Sequence, residues 1–375
     1  MVHVISDAGP HPYFRTLIES GGLDRASLTV GCVGPAGALQ DDMASLGVST
    51  FALGARSRSA YPIAIARLVS LLRRRRPEVV QTHLVDGSLV GLSAARLTRT
   101  PVVVMTAHHS HELPFHGRRL VWPERLCAGP LSDHIIAPSR QVAETLVRLA
   151  HVPEGKIEVV PHGFDLARLD PRAVDGSAIR RELGLEGKVV FGAIGRIYGL
   201  KNHPALIEAF ASALSGVAEA RLVIVGPGDR RPLASLAERL GIADRVLLCG
   251  PRNDIREVLT AFDVFVHPAI AESFGMVIVE AMAMARPVLS TPVGIAPELI
   301  EPGETGLLCA SPEPGALAEG LRRMLALRSQ WPAIGAAARR RVSGLTALSM
   351  VARYQNLYAA WLGRSTAAAP RTPVA

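Results

Sequence analysis

Residues 267–287 read HPAIAESFGMVIVEAMAMARP and carry two carboxylates, Glu272 and Glu280, with seven residues between them. From Phe274 to Ala285 no other charged side chain occurs. The apolar residues of this run go all the way round a helix, which predicts a helix buried on every side after a turn-like segment at 268–273. Carboxylates are almost never fully buried without a partner. A basic residue elsewhere would satisfy Glu280, and so would a vicinal diol such as a ribose, which brings two hydroxyl donors to one carboxylate. Ser273 or the loop before it is expected to start the helix. The amides of Phe274, Gly275 and Met276 would then point outward with the positive end of the dipole, a setting suited to phosphate or sugar oxygens. Glu272, just before that end, reads as part of such a site or as an ordinary capping acid.

Around this stretch the chain has 375 residues, more than one core usually fills, so two domains are expected. It is 49% hydrophobic and 20% charged, a globular profile. The balance of 41 Lys and Arg against 33 Asp and Glu gives +8, which favours anionic partners in general. Four arginines, Arg73 to Arg76, close a helix-like segment at 63–72 just before Pro77, as cations at a helix C-terminus do. An anionic membrane surface is the next reading of that run, and nucleic acid the last, because aromatics are only 5% of the chain and do not interleave the basic runs. The four cysteines, Cys32, Cys127, Cys249 and Cys309, form no CxxC and fit a reducing compartment. An N-terminus reading VHVIS, with no signal-like segment and no apolar stretch of about 18 residues, predicts a cytoplasmic protein, at most peripheral at a membrane.

Apolar β-branched runs alternate with helical patterns, at 2–5, 28–33, 79–82, 102–106, 134–137 and 157–160, with helices such as 87–99 and 139–149 between them. A segment rich in Pro, Gly and Asp at 163–177 interrupts the rhythm, which restarts at 188–194 and continues at 222–225, 246–248, 264–266, 288–290 and 306–308. This predicts two doubly wound parallel sheets, an α/β fold of two Rossmann-like units, with ligands beyond the carboxyl ends of the strands in a cleft between the units. The expected division is 1–165, 166–345 and a C-terminal piece, 346–375. In that last piece a helix at about 347–362 carries Met350, Tyr354, Leu357, Tyr358 and Trp361 as a packing stripe crossing back to the first unit, and the tail from Ser365 reads as disordered.

Three further groups bear on chemistry. Gly195-Arg196 follows the first strand of the second unit, and Lys201-Asn202 comes five positions on, which makes a diphosphate grip of one guanidinium fork and one ammonium. Gly226-Pro227-Gly228 resembles the opening of a dinucleotide fingerprint, but Arg231 stands where its third glycine belongs, so a nicotinamide enzyme is excluded. His108, His109, His111 and His116 cluster after a strand without the helical HExxH spacing and with no cysteine nearby. They read better as ligand-facing loop histidines than as a zinc site.

In order, these segments are Thr106-Ala107-His108, DHIIAPS (133–139), VVPHGFD (159–165), GRIYGLKN (195–202), HPAIAESFGMVIVEAMA (267–283) and PGETGLL (302–308). Together the chain resembles a retaining glycosyltransferase of family 4 with the GT-B fold. The resemblance covers nearly everything beyond about residue 78 and is most specific in the second unit. It implies transfer of a hexose-type sugar from a UDP- or GDP-sugar with retention at the anomeric carbon, no cofactor and no bound metal. Glu280 would hold the ribose hydroxyls and Glu272 the sugar hydroxyls. Arg196 and Lys201 would neutralise the diphosphate, and the amides of Phe274, Gly275, Met276 and Val277 would bind phosphate and sugar oxygens. His108 would contact the sugar or acceptor, with His109 competing for that role. The base is expected near 250–253, beside Arg252. Acceptors in the family include lipid-linked intermediates, polysaccharides and small metabolites.

Three positions depart from the family pattern. The first loop, Asp7-Ala8-Gly9-Pro10-His11, keeps only Gly9 of a frequent double glycine, which leaves Gly9 as the first unit's donor contact. Ala285 and Ile295 stand where glycines are common, and both read as small changes of packing. Other readings remain open on the residues alone: a nucleotide-sugar epimerase or hydrolase, a non-catalytic two-lobed sugar-binding protein, and an adaptor using its basic runs.

Overall fold

The computed structural model describes residues 1–9, 11–108 and 118–363. The chain divides into two compact units, Met1–Asp165 with the segment from Leu345 onward, and Leu166–Gly344. The histidines His109, His111 and His116, the residue Pro10 and the tail from Ser365 lie outside the described residues.

The first unit is built on seven parallel strands: β1 (Val2–Ile5), β2 (Thr29–Cys32), β3 (Ser49–Ala52), β4 (Val79–His83), β5 (Val102–Thr106), β6 (His134–Ala137) and β7 (Ile157–Val159). Their order is β3-β2-β1-β4-β5-β6-β7, so the winding reverses between β1 and β4. Strand β3 was not expected. Its sequence, STFA, is short, sits at the sheet edge and is only partly buried, so it carries no apolar run to betray it.

Register assigns the two faces. His3 pairs with Gln81, His83 with Thr106, Val104 with His134 and Thr106 with Ile136, so His3, Gln81, His83, Val104, Thr106 and His134 share one face. That face is covered by Phe14, Leu17 and Ile18 of the helix Pro12–Glu19 and by Met350, Val351, Tyr354 and Tyr358 of the helix Ala347–Trp361. The C-terminal helix thus belongs to the first unit. Its polar contacts match the polar face it covers: the Tyr358 hydroxyl donates to Gln81 Oε1, Gln81 Nε2 donates to Thr106 Oγ1 at 2.7 Å, and Trp361 stacks on His134 at 4.1 Å. The opposite face, with Val2, Val4, Val80, Val103 and Met105, packs on Leu68, Leu72, Val90 and Leu92 and is largely apolar, its Thr82 hydroxyl lying 3.0 Å from that of Ser88. The chain leaves and re-enters this unit side by side, with Phe164 N donating to Leu345 O and Ala347 N to Phe164 O, both at 2.9 Å. A Cβ at Gly163 would lie 2.5 Å from Thr346 O, so only glycine allows that approach.

The second unit has six parallel strands: β8 (Val189–Ile194), β9 (Ala220–Val225), β10 (Val246–Cys249), β11 (Val264–His267), β12 (Val288–Ser290) and β13 (Gly306–Leu308). They lie in the order β10-β9-β8-β11-β12-β13, and the winding reverses between β8 and β11. Ligands in such sheets bind outside the carboxyl ends at that reversal. Gly195-Arg196 follows β8 there, and the loop to Glu272 follows β11. Among the described residues no helix is long and apolar enough to cross a membrane.

One family departure proves to concern the backbone, not packing. Ala285 has φ +53°, a left-handed conformation that costs an L-residue about 1 kcal/mol and glycine almost nothing. Ile295, by contrast, has φ −84° and needs no glycine, because its neighbour Gly294 takes the left-handed turn at φ +57°. Ala285→Gly should therefore raise stability by about 1 kcal/mol in denaturant unfolding; an unchanged or lower midpoint would show that the strain is absent.

Candidate functional site

After β11 the chain turns through residues 268–275, and the helix runs over Met276–Ala283 with Gly275 as its N-cap at φ +90°. It begins later than a start at Ser273 would give. The left-handed Gly275 cannot be helical, and Phe274 is tied elsewhere, its carbonyl accepting from Ile295 N at 2.7 Å. A Cβ at Gly294 would stand 2.3 Å from that same oxygen, so two glycines shape this turn. Phe274 itself is a core residue, 1% exposed. Among the described residues the amides of Gly275, Met276 and Val277 meet no acceptor, so three donors at the positive end of the helix stand ready for an anion.

The helix is not buried on every side, as its composition alone suggested. Ile278, Val279, Ala281, Met282 and Ala283 are buried, whereas Met276 is 40% exposed and Val277 and Glu280 are partly exposed. Positions 276 and 280 are one turn apart, so an open stripe runs down from the amides to Glu280. The carboxylate of Glu280 has no ion pair or hydrogen bond among the described residues. Burial raises its pKa above the ordinary carboxyl value, with no cation to offset it.

Glu272 is in the opposite state. Lys201 Nζ donates to its Oε1, and His267 Nε2 stands 3.3 Å from the same atom. Burial alone would raise this carboxyl, but His267 and Lys201 outweigh it and hold it at about 2. Burial keeps His267 neutral by lowering its pKa. The turn that delivers Lys201 is fixed by Asn202, left-handed at φ +57°, whose Nδ2 donates to Pro268 O at 3.1 Å and Pro312 O at 2.8 Å. Ile270 N also donates to Leu200 O at 2.8 Å, which ties the Lys201 loop directly to the Glu272 loop. Arg196 stands exposed at the end of β8 with no partner among the described residues.

The glycines after β9 serve this loop. A Cβ at Gly226 would lie 2.0 Å from Gly195 O, one at Gly228 would lie 2.7 Å from Ile197 O, and Ile197 N donates to Pro227 O at 2.7 Å. Their work is close packing behind Arg196. Beyond β10, Arg252 is clamped between two carboxylates, with Nη1 donating to Glu182 at 2.6 Å and Nε to Asp254 at 2.8 Å.

In the first unit, His108 follows β5 and Gly9 follows β1, both at the carboxyl end of the sheet. The Gly9 amide donates to Asp7 Oδ1 at 2.9 Å. His108 Nε2 lies 2.9 Å from Nδ1 of His83, whose Nε2 lies 2.8 Å from Nδ1 of His3. Tyr13 packs on His83 and His108 at 5.4 and 5.5 Å, and His162 stacks on His108 at 5.6 Å. Reading the sequence for motifs missed His3, His83 and His267. The available signal was parity: in VHVI and VVQTH each histidine falls on the face that also carries Gln81 and Thr106. Among the described residues no group of three His, Cys, Asp or Glu is arranged to hold a metal.

The Glu272 pairing has a pH signature. The folded carboxyl lies below its ordinary value of 4.5, so the pairing stabilises the protein fully above about pH 4.5 and progressively less toward 2. Glu272→Gln should be less stable than wild type at neutral pH, with the gap closing across that acid window. A gap that holds constant through it in urea titrations at stepped pH would contradict the assignment.

A family model described as glycosyl transferases group 1 matches residues 175–341, and one described as Glycosyltransferase Family 4 matches residues 19–168. A D-inositol 3-phosphate glycosyltransferase of Nocardia farcinica is 36% identical over 215 residues, 54% of this chain and 47% of that protein. A UDP-Gal:alpha-D-GlcNAc-diphosphoundecaprenol alpha-1,3-galactosyltransferase of Escherichia coli is 30% identical over 230 residues, 59% of each. The chain thus spans about half of the length of these relatives. Among solved structures, Anabaena Alr3699/HepE in complex with UDP superposes with a TM-score of 0.83 over 96% of this chain and 99% of that one, at 22% identity. The same protein has been solved with UDP-glucose, at a TM-score of 0.82. At that identity the likeness shows the fold, GT-B. With the two family models matching one unit each, the chain belongs to the family 4 glycosyltransferases.

Proposed function

We propose that this chain is a retaining, metal-independent transferase that moves a hexose from UDP-hexose to an acceptor in glycan, glycolipid or polysaccharide synthesis. The observation that carries the reading is Glu280, a partly buried carboxylate without a partner among the described residues, one helical turn below three amides that meet no acceptor there. A ribose diol supplies the two donors that carboxylate lacks, and the diphosphate attached to it reaches toward the amides of Gly275, Met276 and Val277. The UDP and UDP-glucose in the Anabaena HepE structures support uridine as the base.

In this reading the bond between the anomeric carbon and the diphosphate oxygen breaks. A bond from the acceptor oxygen forms on the same face, and the acceptor proton passes to the departing phosphate. Charge grows on the leaving diphosphate, and Arg196, Lys201 and the helix amides meet it in place of a metal ion. Lys201 approaches the phosphate from its seat on Glu272, which in turn receives the sugar hydroxyls. Phe274 holds the turn that aims the amides, and Arg252, braced by Glu182 and Asp254, borders the base. From the first unit, His108 meets the sugar or acceptor and Gly9 lies at the donor side. The relatives named for D-inositol 3-phosphate and for a diphosphoundecaprenol-linked sugar mark two acceptor classes, a phosphorylated polyol and a lipid-linked saccharide. A lipid-linked acceptor would place the enzyme on the cytoplasmic face of a membrane, with the arginine-rich end of the helix Tyr61–Arg75 toward anionic lipid.

The test is thermal melting with UDP, GDP and ADP in turn, each with EDTA and with Mg²⁺. UDP at one hundred times its dissociation constant should add about 2.7 kcal/mol of stability, equally in EDTA. Arg196→Ala and Lys201→Ala should each slow UDP release from UDP-glucose by about 10²-fold. A shift that needs Mg²⁺, or wild-type rates in both variants, would overturn the reading.

A further inference from the structure

We propose that His83 is a positioning residue for transfer: through it the chain His3–His83–His108 fixes the tautomer of His108, so that His108 presents an Nδ1–H donor to the sugar or acceptor. This rests on the proposed role of His108 and adds what sets its hydrogen-bonding character.

His83 uses both ring nitrogens, Nε2 toward His3 Nδ1 at 2.8 Å and Nδ1 toward His108 Nε2 at 2.9 Å. The ring planes of neighbours along the chain differ by only 17° and 26°. A neutral imidazole has one donor and one acceptor nitrogen, so the two hydrogen bonds must run in the same direction. His83 is neutral: it is fully buried, and that burial, with the neighbouring histidines, drives its pKa well below the ordinary value.

His3 then decides which direction. Its Nε2 is buried and has no hydrogen-bond partner among the described residues. If protons ran from His108 inward, His3 would carry its proton on that nitrogen and leave a buried N–H unsatisfied. The Phe14 ring, 5.6 Å from that of His3 at 85°, offers only a weak aromatic acceptor. If protons run outward, His3 keeps its proton on Nδ1, where His83 accepts it, and only a lone pair is left bare. Orphaned buried donors are the rarer and costlier of the two. Outward polarity therefore holds: His3 Nδ1–H to His83 Nε2, then His83 Nδ1–H to His108 Nε2. His108 Nε2 is an acceptor and its proton sits on Nδ1.

Two measurements on the full chain test this. Nitrogen-15 NMR of the histidine side chains in the wild-type protein should show His108 as the Nδ1–H tautomer. His83→Leu should lower UDP release from UDP-glucose about tenfold with UDP affinity unchanged. His83→Asn, whose Nδ2 can donate from the position of the lost Nδ1–H, should restore most of that rate. An Nε2–H tautomer at His108 overturns the proposal, as do a wild-type rate in His83→Leu and equal losses in the Leu and Asn variants, which would mean packing alone. Should the wild-type protein turn over no nucleotide sugar, the transferase reading fails, and the tautomer measurement still decides the polarity of the chain.

Discussion

An acid without a partner among the described residues organises this molecule. Glu280 sits on a helix that buries most of its other residues, and burial pushes its proton affinity up with nothing among the described residues to offset it. Folding tolerates such a group where something outside the chain completes it. Eight residues earlier, Glu272 faces the same burial, yet Lys201 and His267 hold it ionised. Two carboxylates on one short segment have thus been driven apart by their surroundings, one neutralised in advance and one left open. That contrast separates a group that waits for ligand from a group that steadies a cation.

The rest of the second unit serves this pair. Reversal of the winding between β8 and β11 brings the loops of Arg196, Lys201 and Glu272 to one end of the sheet. Gly226, Gly228 and Gly294 let backbones approach where a side chain would collide, and Gly275 takes the left-handed turn before the helix. Asn202 and Ile270 then fasten the Lys201 loop to the Glu272 loop. The first unit repeats the architecture with a different content. One face of its sheet is largely apolar, and the other carries His3, Gln81, His83, Thr106 and His134 beneath a helix that returns from the far end of the chain.

Much of this was legible beforehand for a definite reason. Parallel strands buried on both faces read as continuous apolar runs, so twelve of the thirteen strands stand out in the sequence, and only the half-buried edge strand Ser49–Ala52 does not. Glu280 was conspicuous because it interrupts an apolar helix. What stayed hidden depends on backbone angles and long-range partners. Gly275 gives no sign that it takes φ +90° and delays the helix start, nor Ala285 that it takes φ +53°. The partnership of Lys201 with Glu272 spans 71 positions and that of His3 with His83 spans 80, and no local pattern announces either. The open stripe on the helix Met276–Ala283 also escaped, since composition shows which residues are apolar and not which neighbours are missing.

The central claim is that Glu280 awaits a ribose diol. The most direct measurement is a calorimetric cycle of UDP and 2′,3′-dideoxy-UDP on wild-type protein and Glu280→Gln. If the account is right, removing the carboxylate or the diol alone weakens binding by about tenfold or more, the scale of a hydrogen bond to a charged group, and removing the second adds little. Losses that simply add, or an unchanged affinity for UDP in the variant, would mean that the diol and Glu280 never meet.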